Sequence, residues 1–337
     1  MQQSFIPTPE TFQALFVEKK DGEVTRQITE QAIAALPLGE VLIQVHYSSL
    51  NYKDALAATG HPGVTKKFPH IPGIDAAGTI VNSTVPQFQA GDSAIVTGFD
   101  LGMNTWGGFA EYIRVPAAWM IPLPAPMTLW ESMALGTSGL TAALCVEAFS
   151  HNGVQPDQGE VLVTGATGGV GSLAVSILAK LGFSVVAVTG KPTQQDYLRS
   201  LGATAVISRE EATDPTRKPL LKERWAGVVD TVGGNILATA IKTTRYGGCV
   251  AACGLVGGTD LNTTVYPFIL RGVCLNGIDS ANCPLPVRKA LWKKLATDWK
   301  PAHLEAIATT IHLSQLSDQI DLMLQGKNVG RIVVVTR

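Results

Sequence analysis

Residues 160–172 read EVLVTGATGGVGS, an apolar run that ends in a glycine-rich turn and opens directly into a helical pattern from Gly169 to Leu181. Glycines at such a turn let the backbone approach a pyrophosphate, and the helix N-terminus that follows offers it free N–H groups and a positive dipole end. Thr167, Gly168, Gly169 and Val170 are therefore the candidate pyrophosphate-binding residues. The dinucleotide fingerprint is met in a variant form, with Ala166 at the first glycine position and Gly168 and Gly171 at the others. A phosphate-loop reading fails, because no Lys-Ser or Lys-Thr follows the glycines at the required spacing.

The surrounding chain supports a nucleotide-binding sheet. EVLVTG, SVVAVTG, TAVIS, GVVDTVGG, GGCVAACG and GVCLNGI are six short apolar runs, with helical patterns at Gly169 to Leu181, Thr193 to Leu201 and near Asn235 to Thr243. Continuous apolar strands alternating with amphipathic helices predict a doubly wound parallel sheet buried on both faces. Before it, from Val17 to about Ile121, the β-type runs VLIQVHYSSL, GTIV, SAIVT and FAEYIRV are broken by Gly and Pro, which predicts an irregular all-β body. A linker at Pro122 to Pro126 leads into a helix from Leu129. After Pro284 come a helical stretch, a second helix near Leu316 to Leu324 and a terminal strand RIVVV, whose available partner is the N-terminal β body.

At the end of the second strand of this sheet, where a carboxylate would accept the ribose hydroxyls of NAD, stand Thr189, Gly190 and Lys191, with Arg209 at the end of the third strand. A hydroxyl, a backbone N–H and cations suit a 2'-phosphate, so the expected cofactor is NADPH. Thr164, Gly165, Gly169 and Gly171 also fit the loop of short-chain reductases, but that loop belongs near an N-terminus. None of Tyr47, Tyr52, Tyr112, Tyr197, Tyr246 or Tyr266 has the Lys four residues on that such enzymes need.

Taken together, SSLNYKDALAATG (48–60), FPHIPGIDAAGTI (68–80), WGGFAEYIRVP (106–116), LGTSGLTAAL (135–144), VTGATGGVGS (163–172) and YGGCVAACGLVGG (246–258) resemble the medium-chain dehydrogenase/reductase superfamily. NYKD, the TGK turn, PFILRGV (267–273) and GIDS (277–280) are similar to its zinc-free quinone oxidoreductase and NADPH-dependent acryloyl-CoA reductase branch. The resemblance implies an α/β chain with a GroES-like β-rich catalytic domain, residues 1–130 with 284–337, and a Rossmann NADPH-binding domain, residues 131–283, with the active site in the cleft between them. It also implies a homodimer.

Zinc enzymes of the superfamily carry a Cys where this chain has Asn51, and a His-Glu pair where it has Ile74-Asp75. The cysteines of their structural zinc lobe, near residues 90 to 110, are missing here. Zinc needs three or four soft or imidazole ligands, so no metal site is expected, and Cys249 and Cys253 read as small core hydrophobes on one strand face. Without a Lewis acid the fitting chemistry is hydride delivery to an activated acceptor such as a conjugated C=C beside a thioester. By resemblance Tyr52 faces the nicotinamide, as proton donor or as packing partner, with Asn51 beside it. Lys53 and Asp54 tie the loop down, and Arg331 either reaches the cleft or pairs with Asp75. Leu255, Ile269, Ser280 and Asn328 are placed at the nicotinamide end.

The leading expectation is an enoyl-thioester reductase, with a quinone reductase and a non-catalytic NADPH-binding protein as alternatives. Lys66, Lys67, Arg271 and Arg288 are candidate cations for a CoA phosphate. With 26 basic and 27 acidic residues the net charge is -1, which argues against nucleic-acid or acidic-membrane partners. Five scattered cysteines, an N-terminus without a signal-peptide pattern and no apolar run of membrane length point to a cytoplasmic chain.

Overall fold

Two extended runs, Thr11–Lys20 (β1) and Glu23–Ala32 (β2), pair antiparallel across a two-residue turn. Asp21 and Gly22 both have positive φ, 53° and 87°, the handedness a tight hairpin needs to match strand twist. The sequence reading began the β body at Val17 and missed this hairpin, because β2 is polar along most of its length and lacks an alternating apolar face. The computed structural model describes residues 8–216 and 218–337. The first seven residues, on which part of the signal-peptide expectation rests, lie outside the described residues.

The chain continues through Val41–Leu50 (β3), Tyr52–Ala58 (α1), Asp75–Ser83 (β4), Ser93–Thr97 (β5), Tyr112–Val115 (β6) and Met120–Pro122 (β7). Of the expected strand FAEYIRV only its second half is one, and the helix α1 inside the β body was not expected. Leu129–His151 (α2) follows. It is long and apolar enough to cross a membrane, contrary to the sequence expectation, but 83% of its apolar window is buried. It also breaks at Gly136, where φ 51° and ψ -154° leave the helical region. A buried, broken helix is a core element.

Next come Glu160–Val163 (β8), Gly169–Lys180 (α3), Ser184–Val188 (β9), Gln195–Ser200 (α4), Ala205–Ile207 (β10), Trp225–Asp230 (β11), Gly234–Thr243 (α5), Thr244–Ala252 (β12), Tyr266–Arg271 (α6) and Cys274–Gly277 (β13). Leu285–Ala296 (α7), Leu304–Ile307 (α8), Ala308–His312 (β14), Leu316–Leu324 (α9) and Arg331–Val335 (β15) close the chain.

The chain divides into two units: Met1–Thr137 with Ala281–Ala296 and Leu304–Arg337, and Ser138–Ser280 with Thr297–His303. In the first unit a seven-stranded sheet runs β14-β15-β3-β4-β5-β7, with β6 on β3. The terminal strand β15 lies antiparallel to β3, Ile332 opposite Leu50, which completes the N-terminal β body as expected. One core gathers Phe12, Leu15, Phe109, Tyr112, Leu316 and Ile320, and a second Ile43, Ile80, Val96 and Ile113.

The second unit is a six-stranded parallel sheet ordered β10-β9-β8-β11-β12-β13, with the strand order reversing on either side of β8. This is the arrangement of two mononucleotide-binding halves that together bind a dinucleotide, in which ligands bind beyond the carboxyl ends of the strands where the order reverses. Its core packs Leu162, Val186, Val188, Val228, Ile241 and Val250 against one another. Among the described residues no helix joins β10 to β11, while the short helix α6, which the sequence reading left out, precedes β13.

Candidate functional site

In the second unit, β8 ends in the glycine turn and α3 begins at it, with Gly168 as N-cap and no acidic residue in the first turn. Three close approaches build the turn. Gly165 has φ 58°, and a Cβ there would meet the Thr231 side chain. Gly171 stacks its bare Cα against the Gly165 carbonyl, and Gly168 donates its N–H to that same carbonyl at 2.9 Å. The expected residues Thr167, Gly168, Gly169 and Val170 therefore sit at a helix N-terminus whose first N–H groups have no intrahelical acceptor.

The turn is braced from β11. Thr164 Oγ1 donates to Asp230 Oδ1 at 2.7 Å, and Asp230 Oδ2 accepts the Gly233 N–H at 2.7 Å. Burial pushes the Asp230 carboxyl up from its usual value.

At the end of β9, Thr189 is buried, with its hydroxyl accepting the Lys191 N–H at 3.0 Å and lying 3.5 Å from Thr167 Oγ1. Burial, and then the neighbouring Arg209, lowers the Lys191 ammonium from its usual value. The structure thus gathers Thr189, Gly190, Lys191 and Arg209, as the sequence reading expected. Further along the same unit Ser280 accepts a hydrogen bond from Thr141 Oγ1 at 2.8 Å, and Leu255 and Ile269 are exposed apolar side chains, 64% and 72% accessible.

In the first unit, Asn51 is the N-cap of α1 and Tyr52 its first residue, 44% exposed. Beneath Tyr52 lies a buried polar network. Asn51 Nδ2 donates to Asp75 Oδ2 at 2.8 Å and to Asp54 Oδ2 at 3.1 Å, while Asn51 Oδ1 accepts from Arg331 Nη1 at 3.0 Å. Asp54 Oδ2 also accepts the Asn51 backbone N–H, and its Oδ1 accepts the Ile74 N–H, both at 2.8 Å. Burial, with Asp75 beside it, raises the Asp54 carboxyl to about 7.

Asp75 further accepts from Ser49 Oγ and Thr137 Oγ1, both at 2.6 Å, and from the Thr137 N–H at 2.9 Å. The break at Gly136 makes this possible, since a Cβ there would lie 2.5 Å from Asp75 Oδ2 and 2.7 Å from Arg331 Nη2. Arg331 stands 3.8 Å from Asp75, 2% exposed, and donates to Ser49 Oγ at 2.7 Å. The structure therefore places Arg331 in the pair with Asp75 and within the anchor of the Asn51–Tyr52 corner. Ser49 and Thr137 escaped the sequence reading. The glycine interrupting the helical pattern LGTSGL was the one signal that could have found Thr137. Asn328 is half-buried in the turn before β15.

Two of the cations proposed for a CoA phosphate are corrected by the structure. Arg288 is fully buried, bonded to Thr97 and Ala281 and stacked 4.4 Å over Phe99. Arg271 is spent on the carbonyls of Lys242 and Leu221 and on Glu223. Both tie the ends of strands and helices to loops, which a count of cations cannot reveal. Lys66 and Lys67 are exposed.

Cys249 is buried in β12, its thiol pushed up to about 12 by burial, but Cys253 lies beyond the strand end and is half-buried. Among the described residues no three His, Cys, Asp or Glu side chains converge as a metal would require.

Comparison with known proteins adds to this geometry. Residues 37–125 match the alcohol dehydrogenase GroES-like domain, and residues 169–297 the zinc-binding dehydrogenase domain. Among curated relatives, "Putative quinone oxidoreductase YhfP" of Bacillus subtilis is 47% identical, over 96% of this chain and 98% of its own. "Acrylyl-CoA reductase AcuI" of Ruegeria pomeroyi is 45% identical, over 96% of this chain and 98% of its own. Among solved structures, Escherichia coli YhdH with bound NADPH is similar with a TM-score of 0.94 at 45% identity, covering 96% of this chain and 100% of that one. The YhfP structure, with NAD bound, is similar with a TM-score of 0.94 at 47% identity, over 96% and 99% of the two chains.

Proposed function

The chain belongs to the zinc-free quinone oxidoreductase and acrylyl-CoA reductase branch of the medium-chain dehydrogenase/reductase superfamily, and from that premise we propose that it reduces the C=C bond of a short enoyl thioester such as acryloyl-CoA with NADPH. The observation that carries the cofactor half of the reading is the second unit's glycine turn. Glycines 165, 168 and 171 leave a cradle that side chains would fill, at a helix end free of acidic residues. The lack of a carboxylate at the end of β9, with Lys191 and Arg209 in its place, favours a 2'-phosphate over a free ribose hydroxyl.

NADPH, when bound, supplies the hydride that saturates the β carbon and leaves the substrate as an enolate. This chain's own residues have two tasks. The thioester oxygen needs donors where negative charge develops. The α carbon needs a proton, and Tyr52 is the group to which this reading assigns it. Asn51, Asp54, Asp75 and Arg331 act one layer below, holding the first turn of α1 so that the Tyr52 ring keeps its place. The overall change takes one hydride and one proton per double bond.

The support for the thioester comes from the relative at 45% identity that bears the name acrylyl-CoA reductase. The YhfP name favours a second reading, quinone reduction, which requires the same cofactor site but no carbon protonation. Oxidation of NADPH followed with acryloyl-CoA, crotonoyl-CoA and a benzoquinone separates them. Turnover on both thioesters far above that on the quinone is the expected result. Quinone turnover alone would establish the second reading, and no turnover on any acceptor would favour a binding role.

A further inference from the structure

Three exposed lysines of the first unit gather where the β1–β2 hairpin meets the loop that follows α1. Val17 and His70 exchange backbone N–H···O bonds at 2.8 Å in both directions, and this antiparallel bridge sets Lys19 across from Phe68. The Lys19 ammonium accordingly lies 6.0 Å from the centre of the Phe68 ring. Two anchors hold the loop that carries Lys66 and Lys67. Buried Thr65 donates its hydroxyl to the Met103 carbonyl at 2.9 Å, and Gly60 presses on the hairpin, where a Cβ would lie 2.7 Å from Val24 Cγ2 and 3.7 Å from Phe68 Cζ. The hairpin register decides which charges accompany them. Facing residues of paired strands share a face, so Lys19 and Val24 stand on the side that meets the loop, while Glu18, Lys20 and Glu23 stand on the other, with Asp21 out in the turn. Arg26, on the loop side, is bound to Asp321 and Ser317. Among the described residues Lys19, Lys66 and Lys67 make no ion pair. Like charges held together without a counter-charge repel, and an anion between them reverses the sign.

We propose that Lys19, Lys66 and Lys67 seat the phosphorylated nucleotide end of a CoA thioester, with their ammonium groups on its 3'-phosphate and the Phe68 ring as an apolar wall for the adenine. The inference rests on the enoyl-thioester reading above and adds where the far end of that substrate is held. Lys19, remote in sequence, reaches the loop through strand pairing alone. An ammonium acts on phosphate as a point charge and needs no fixed fork geometry, which suits side chains standing in solvent. Tyr52 opens α1 and the lysine loop follows its last turn, so about 10 Å of helix separates them, seven residues at about 1.5 Å each. The pantetheine arm of CoA is longer than that, which lets the thioester lie at Tyr52 while the 3'-phosphate rests on the lysines.

The test is steady-state kinetics at saturating NADPH with acryloyl-CoA and with acryloyl-pantetheine, which has the same reacting group and arm but no nucleotide. The double variant Lys66→Ala with Lys67→Ala should raise KM for acryloyl-CoA about 5- to 30-fold, the scale of two solvent-exposed charge pairs. Its kcat should change little, and the KM increase should shrink as salt is added. With acryloyl-pantetheine the double variant should match the unaltered protein. Lys19→Ala should raise KM for acryloyl-CoA about 2- to 5-fold, whereas Lys20→Ala, on the other face of the hairpin, should leave it where it was. Adenosine 3',5'-bisphosphate should compete with acryloyl-CoA, and compete less well in the double variant. Equal KM increases on both thioesters, no increase on acryloyl-CoA, or an effect of Lys20→Ala as large as that of Lys19→Ala would overturn the inference while leaving the thioester reading standing. Failure of the unaltered protein to reduce either thioester would remove that reading, and the inference with it.

Discussion

Replacing Arg331 with Met tests whether this arginine holds the Asn51–Tyr52 corner or works on a substrate. The guanidinium is 2% exposed. It donates to Ser49 Oγ at 2.7 Å, Asn51 Oδ1 at 3.0 Å, the Ala134 carbonyl at 3.2 Å and the Leu50 carbonyl at 3.3 Å. Methionine fills much of the same volume but strips the cation from a cluster that contains two buried carboxylates, Asp54 and Asp75. Breaking a buried pair from one side costs about 3–5 kcal/mol. For units of this size each kcal/mol moves the melting temperature by about 2–4 °C, so a drop of about 6–20 °C is expected.

The drop should depend on pH, with a definite sign. Asp54 is raised from 3.8 to about 7 in the folded chain. A group raised on folding contributes stability that is fully present below its unfolded value and is lost as pH rises through its folded value. Removing Arg331 raises the Asp54 carboxyl further, because the positive charge favoured its ionised form. At about pH 6 Asp54 holds its proton in both proteins, whereas at about pH 8 the wild type keeps the ionised carboxylate beside Arg331 and the variant must either bind a proton from a more alkaline solution or bury an uncompensated charge, so the loss is greater at the higher pH. Calorimetric scans of both proteins at the two pH values are the assay. Equal drops at both, or a drop of less than about 2 °C accompanied by a collapse of turnover, would refute the structural role and return Arg331 to the reaction.

Tyr52→Phe should lower turnover with acryloyl-CoA by about 10²-fold or more, the span for a positioned acid, and affect quinone reduction far less. Similar losses on both acceptors would leave Tyr52 a packing residue. Lys191→Ala should weaken NADPH by roughly 1–3 kcal/mol and NADH hardly at all; titration showing equal losses would count against NADPH selectivity. Light scattering should report a homodimer, assembled through the unpaired edge of β13, and a monomer at working concentration would dismiss it.

Much of the fold can be read along the chain because it depends on neighbours within a few residues. Each strand of the parallel sheet is a short apolar run bounded by Gly or by a polar turn, and the glycine turn with its helix is a local motif. The terminal strand RIVVV declared itself as a strand that needed a partner. The β1–β2 hairpin was hidden for the opposite reason: β2 offers its partner backbone groups rather than an apolar face, and polar side chains leave no periodic trace. The helix α6 is too short to show a period.

Residue types and their spacing determined the cofactor loop, the absence of a carboxylate after the second Rossmann strand, and the replacement of the zinc-ligand positions by Asn51 and Ile74-Asp75. These are properties of side chains at fixed offsets in one segment. Only the tertiary structure decided which charges are free to act. Arg271, Arg288 and Arg331 look alike in the sequence as potential anion-binding cations, yet each is consumed by partners remote in the chain: Lys242 and Leu221, Thr97, and Ser49 with Asp75. Arg209, indistinguishable from them by composition, is left lying over Gly190 beside another cation. The difference is burial among long-range partners, since desolvating a guanidinium requires acceptors that sequence distance does not reveal and that folding alone brings within hydrogen-bond reach.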